Sequence, residues 1–209
     1  MRTEPDDVAV RYRTDMAQEG KAKLGRDDWA RTGFEMFGES GVDAVVIERI
    51  AVRLGATKGS FYWHFRNRGE LLAAVLDLWL IETEEIIDGV ARIDDPRAQL
   101  RALFERAFAN VSQDRSEVDL LHRADDPVVA EVLEKVSARR VAFMAEAFAA
   151  TGLPERTARD RATQMYAMWL GLIRLQASLP SLMPSTPDEH RRLMRSTIGL
   201  LDDLFPDPR

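Results

Sequence analysis

The chain has 209 residues, 45% hydrophobic and 31% charged, with 12 glycines and 9 prolines, a composition that buries a core and excludes global disorder. It has no cysteine, which excludes a disulfide framework and thiolate metal sites and fits a reducing cytosol. The net charge of −6 is unevenly spread: residues 1–70 carry 12 basic and 12 acidic side chains, and the whole deficit falls on residues 71–209.

Residues 1–25 lack apolar periodicity. Arg2, Arg11 and Arg13 alternate with Glu4, Asp6, Asp7, Asp15 and Glu19, so a solvated arm is expected there rather than a signal peptide or a minor-groove arm. The longest apolar run, residues 165–173, falls short of the ~20 residues needed to span a bilayer. A cytoplasmic protein with no membrane partner is expected.

The rest of the chain reads as all-α. A first helix is expected over 26–39, with Ala30, Phe34 and Phe37 on one face and Ser40-Gly41 as its stop. A second over 45–54 places Ile47, Ile50, Ala51 and Leu54 in helical register, and Gly55 ends it. Thr57 caps a short third helix reaching about residue 65. Asn67 with Glu70 reads as a capping box opening a long fourth helix to residue 89. Asp94-Asp95-Pro96 opens the next, carrying Leu100, Leu103, Phe104, Ala107, Phe108 and Val111 in register. A short segment over 118–122 precedes Asp126-Pro127, a helix start with proline in its first turn. That helix reaches residue 150, another runs to about 179, and after Pro180, Pro184 and Pro187 a last one covers 188–205. About nine helices result: a trihelical unit over 26–70, then a larger bundle over 71–209.

Residues 47–65 carry the functional signal. Where two helices of a helix-turn-helix cross, a small residue is required, and Ala51 fills that place. Gly55, four positions on, suits the turn's left-handed backbone, and Phe61, six further, locks the second helix onto the first. From Arg49 to Arg68 there are five bases (Arg49, Arg53, Lys58, Arg66, Arg68) and no acid. A locally positive face on an acidic body is compatible with phosphate contact.

The run Thr57-Lys58-Gly59-Ser60-Phe61-Tyr62-Trp63-His64-Phe65, followed by Asn67-Arg68 and Glu70-Leu71-Leu72, closely resembles the recognition helix and linking helix of the TetR family of transcriptional regulators. The likeness in sequence covers 26–76; beyond it only helix number and length agree. It implies a homodimer on double-stranded operator DNA, acting as a repressor released by a small-molecule effector. It implies too that the larger bundle is a ligand-binding and dimerisation domain. Thr57, Lys58 and Gly59 would start the helix that enters the major groove, where backbone N–H groups face the DNA. Lys58 would reach a phosphate or a guanine edge, and Ser60 a phosphate. Tyr62, His64 and Arg68 match positions that meet DNA in relatives. Trp63 adjoins them, although packing or backbone support suits it better than base readout, and a local hydrogen bond would equally satisfy His64. Where relatives cap the second helix with Ser or Thr, this chain has Ala44-Val45, and Asp43 is the substitute expected. Glu48 stands where relatives are often basic, so Arg49 or Arg53 is expected to supply the phosphate contact there.

The resemblance places the dimer interface on the apolar helix around Met165 and on the last helix, with Leu193, Ile198, Leu200, Leu201 and Leu204. An effector pocket would use Trp79, Phe104, Phe108, Phe143, Met144, Met165, Tyr166 and Trp169 as walls, with His122 and Arg174 orienting the ligand. Core packing explains each wall residue equally well taken alone. Competing readings are a helical dimer that binds ligand without specific DNA recognition, and an enzyme. His122 with Asp125 and Asp126 could be taken for metal ligands, but Asp125-Asp126-Pro127 is already accounted for as a helix start. Neither a phosphate loop, a nucleophile elbow nor a zinc signature occurs, so no catalytic residue, cofactor or metal is expected.

Overall fold

A computed structural model describes residues 24–110 and 116–202, with side chains over 24–107 and 117–200. Residues 1–23 of the arm expected over 1–25, and the side chains of Phe108, Val111, Leu201 and Leu204, lie outside the described residues. Among the described residues there are nine α-helices and no strand. They are α1 Arg26–Ser40, α2 Ile47–Leu54, α3 Lys58–Phe61, α4 Arg68–Ala91 and α5 Pro96–Asn110. After them come α6 Ser116–His122, α7 Pro127–Ala150, α8 Glu155–Ser178 and α9 Pro187–Asp202, and 3-10 turns cover Val42–Ala44 and Pro180–Leu182.

Local chemistry sets most boundaries. Asp126 Oδ1 accepts from Val128 N–H at 2.9 Å and Pro127 opens α7; the Asp95 carboxylate likewise accepts from Arg97 and Ala98 N–H at 3.2 Å. Gly55 ends α2 at φ 62°, ψ 30°, and Ala56 N–H returns to Ala51 O at 2.8 Å. Two expectations are corrected. The capping box of α4 is only half formed: Asn67 Oδ1 accepts from Glu70 N–H at 2.9 Å, but Glu70 turns back to Arg66 N–H at 2.8 Å instead of to Asn67. Asp43 does not cap α2. The 3-10 turn delays that helix to Ile47, Val46 caps it without a side-chain bond, and Asp43 pairs with Arg123 at 2.6 Å.

One apolar cluster fills the trihelical unit and continues without a break into α4, α6 and α7. It joins Trp29, Phe37, Ile50, Phe61 and Phe65 to Leu71, Leu76, Trp79, Leu120 and Val136. Helices α1 and α4 cross at Gly33, where a Cβ would lie 2.8 Å from Val75. Farther along, Leu100, Phe104, Met144, Phe148, Ala162 and Met165 form a second core between α5, α7 and α8, and α9 rests on α5.

Candidate functional site

The helix-turn-helix triple closes as its residue types require. Ala51 and Phe61 are buried, Trp29 meets Phe61 edge-on at 5.3 Å, and Phe61 stacks on Phe65 at 5.4 Å. Helix α3 is short, and residues 62–64 continue it only as a turn. Thr57 caps it, its Oγ1 accepting from Ser60 N–H at 3.2 Å while Ser60 Oγ donates to Thr57 O at 2.7 Å. Ser60 hydroxyl is therefore engaged at home, whereas Lys58, Gly59, Tyr62 and Trp63 are exposed. Trp63 is 82% exposed, which removes the expected packing role and leaves a large flat side chain in solvent next in sequence to Tyr62, itself 54% exposed. His64 is half-buried; its backbone carbonyl accepts from Arg26 at 2.8 Å.

The bases divide into free and committed. Lys58 Nζ lies 2.6 Å from Glu48 Oε1, so the acid of α2 is neutralised by the lysine that opens α3. The hydrogen bond from Lys58 is the main reason Glu48 stays below the ordinary carboxylate range. Arg53 makes a bidentate bond to Glu39 at 2.8 Å and lies 3.4 Å from Glu35, so it does not take over the phosphate role. Arg49 is exposed and makes no ion pair within the described residues. Arg68 acts as a clamp: Nε donates to Val45 O at 2.6 Å and Nη2 to Val42 O at 2.8 Å. Two donors of the side chain expected to meet phosphate are thus engaged on carbonyls of the 3-10 turn and its cap, Val42 O accepting from Val45 N–H at 3.1 Å as well.

A cavity of about 110 Å³ lies between α4, α5, α7 and α8, walled by Ile87, Leu103, Phe104, Met144, Trp169 and Ile173, with Thr83, Arg106, Arg140 and Tyr166 as its polar groups. Behind it sits a buried polar network. Glu117, only 1% exposed, takes Arg140 Nη1 at 2.6 Å on one oxygen and the Tyr166 hydroxyl at 2.9 Å on the other. Ser137 lies 2.9 Å from that hydroxyl and donates to it, since the phenol proton is already given to Glu117. Burial first, and the Glu117 charge second, push the Tyr166 phenol above its ordinary range, so it stays a neutral donor. Burial opposes the Arg140 charge, but Glu117 more than offsets it. The guanidinium also lies over the rings of Trp79 and Trp169, at 5.4 and 5.2 Å.

Helix α6 touches both regions. Two residues after Glu117, Asp119 Oδ2 accepts from Val42 N–H at 2.7 Å, and Arg123 just beyond the helix reaches Asp43. Val42 is thus held from both sides, by α6 through its N–H and by Arg68 of α4 through its carbonyl. Gly41 makes room for this joint: at φ 75°, ψ −172° it has a backbone that favours glycine, and a Cβ would fall 2.5 Å from Asp119 Oδ2.

Residues 31–75 match the family model described as bacterial regulatory proteins, tetR family. The trihelical unit is thus similar in sequence to the DNA-binding region of the TetR family. Over 73 residues it is 36% identical to the tetracycline repressor protein class A from transposon 1721 of Escherichia coli, covering 35% of this chain and 33% of that one. It is 31% identical over 102 residues to the HTH-type transcriptional regulator TtgR of Pseudomonas putida, covering 47% of this chain and 46% of that one. The chain therefore spans about a quarter to a half of the length of the curated relatives it matches. A TetR transcriptional regulator from Legionella pneumophila shares the fold at a TM-score of 0.72 and 11% identity, over 90% of this chain and 100% of that one.

The expected pocket residues with described side chains separate into three groups. Phe104, Met144, Tyr166 and Trp169 line the cavity. Trp79, Phe143 and Met165 lie in apolar clusters and do not line it. His122 and Arg174 are corrected: both are exposed and hydrogen-bond to each other at the surface, away from the cavity. Sequence reading missed Glu117, Arg140, Thr83 and Arg106. Arg140 had a signal, an arginine doubled with Arg139 directly before the apolar run Val141-Ala142-Phe143-Met144. Glu117 had none, since its partners lie 23 and 49 positions away.

Proposed function

We propose that the chain is a dimeric repressor that binds operator DNA through α2 and α3 and is released by a small molecule in the α4–α8 cavity. The observation that carries this reading is the exposed face of Lys58, Gly59, Tyr62 and Trp63 on a correctly capped recognition helix, with Arg49 beside it. Backbone N–H groups at the start of α3, together with Lys58, Tyr62 and Arg49, meet phosphates and base edges; Thr57, Ser60 and His64 complete the face. No catalytic constellation accompanies it, and a metal-binding cluster of His, Asp or Glu is absent among the described residues; we read the chain as a regulator and not an enzyme.

Dimerisation through α8 and α9 presents two major-groove helices about 34–36 Å apart. The monomer leaves Gly171 and Leu200 exposed and Met168, Leu172, Leu175 and Leu193 half-buried, an apolar face that a second copy would cover. A ligand that favours a state with α6 displaced shifts Val42, and with it the trihelical unit, out of groove spacing. Operator and ligand then weaken each other by equal factors. No helix among the described residues is long and apolar enough to cross a membrane, in keeping with a regulator that meets DNA in the cytoplasm.

The test is a salt titration of binding to a labelled fragment from the region upstream of the protein's own gene, against random DNA. Specific binding that weakens with salt and is reduced by Lys58→Ala and Tyr62→Phe is expected. Absence of binding to any DNA at low salt, by a folded dimer, would overturn the reading and favour a ligand-binding dimer.

A further inference from the structure

The charge balance of the cavity identifies its ligand class. Two guanidinium groups line it, Arg106 and Arg140, and no carboxylate does among the described residues. Their situations differ. Arg140 is neutralised from behind by Glu117, and that carboxylate is itself buried and holds Tyr166 as well. A ligand anion that displaced it would strand a buried charge, so Arg140 is closed to ligand anions. Arg106 sits on α5 at the exposed rim and makes no hydrogen bond or ion pair within the described residues. Between the two stands an apolar wall of Ile87, Leu103, Phe104, Met144, Trp169 and Ile173.

Among the described residues the cavity therefore carries one uncompensated positive charge, at its mouth, over an apolar interior whose floor is electrically neutral. We propose that it binds an organic monocarboxylate, with the apolar body among Phe104, Met144 and Trp169 and the carboxylate outward on Arg106. A fork of N–H donors suits a carboxylate, and the low dielectric beside it strengthens the pairing. A cation at the mouth would meet Arg106 unfavourably, and a ligand charged at both ends would bury its second charge without a partner. This inference rests on the cavity being the effector site of the proposed regulator.

The experiment measures binding by calorimetry on the intact protein without DNA, using octanoate, octanol and octylamine as probes sharing one apolar body. Octanoate is expected to bind about tenfold or more tightly than octanol, and octylamine more weakly than either. Arg106→Gln should bring octanoate down to the level of octanol while leaving octanol unchanged, which a merely misfolded variant would not do. The proposal is overturned if the three probes bind alike, if none binds, or if Arg106→Gln leaves octanoate untouched. Operator release is assayed separately. A carboxylate that binds with the Arg106 signature but never releases DNA would sink the effector reading and leave the site chemistry standing.

Discussion

Replacing Gly41 by alanine adds one methyl group at the joint between α6 and the DNA-binding unit. Two costs follow from the geometry. The backbone at φ 75°, ψ −172° is one that an L side chain adopts only under strain, about 1–3 kcal/mol. The new Cβ would also stand 2.5 Å from Asp119 Oδ2, so the carboxylate must leave Val42 N–H, its partner at 2.7 Å. A hydrogen bond to a charged group contributes about 1.5–3 kcal/mol, less where water reaches it. The sum is about 3–5 kcal/mol, a fall in melting temperature of roughly 6–20 °C for a chain of this size. Gly38, three residues earlier and inside α1, is the control: a Cβ there meets nothing within 4 Å. Gly38→Ala should therefore stabilise by about 0.5–1 kcal/mol. Thermal unfolding followed by far-UV circular dichroism compares the two. Because part of the Gly41→Ala cost runs through Asp119, it should shrink by about half in an Asp119→Ala background. Equal effects of the two glycine substitutions, or full additivity with Asp119→Ala, would refute the account of the joint.

Three further outcomes are expected. Glu48→Gln removes the anion that holds Lys58 at 2.6 Å and should strengthen binding to random DNA, whereas Lys58→Ala should reduce the salt slope of operator binding by about one; gel-shift titrations check both. Glu117→Leu leaves Arg140 buried beside Trp79 and Trp169 without its carboxylate, and should cost about 3–5 kcal/mol in denaturant unfolding, most of it recovered by adding Arg140→Met. Glu70 lies below its ordinary 4.5, first because it accepts from Arg66 N–H and then because of Arg26. A depressed carboxylate stabilises above its unfolded value, so this contribution is present at neutral pH and lost as pH falls through the folded value below 4.5. Glu70→Gln should flatten the acid limb of a stability–pH profile, and an unchanged limb would show that the contact carries no linkage.

The trihelical unit was legible because its determinants are local. Ala51, Gly55 and Phe61 are spaced along one short stretch, and Thr57, Asn67, Asp95 and Asp126 cap helices within three residues of themselves. The clamp made by Arg68 was hidden for the opposite reason: whether a guanidinium meets DNA or a carbonyl 23 residues back depends on where the 3-10 turn leaves Val45. His122 and Arg174 were misplaced because a polar residue amid apolar neighbours does not declare which side of its helix faces inward. Glu117 and Arg140 became a pair only once α6 and α7 met. In each case the deciding interaction spans more chain than a periodicity argument covers.

The same geometry constrains how strongly the proposed binding of a dimer to DNA depends on salt. Arg53 is held by Glu39, Arg26 by Glu70 and Arg68 by Val42 and Val45, so these bases are spent inside the fold. Arg49 and Arg66 remain exposed, with Arg66 only 4.0 Å from Glu70, and Lys58 becomes available by exchanging Glu48 for a phosphate. About three bases per protomer, hence about six per dimer, predict a slope of log K against log salt near −5. Bases in the N-terminal segment, Arg2, Arg11, Arg13, Lys21 and Lys23, could steepen it, so the measurement is repeated on a chain lacking residues 1–23. A slope near −5 in the shortened protein supports the division into free and committed bases. A slope near −9 there would mean that two of Arg53, Arg26 and Arg68 abandon their partners on the operator, and that the fold's own polar contacts are reserves for DNA rather than struts.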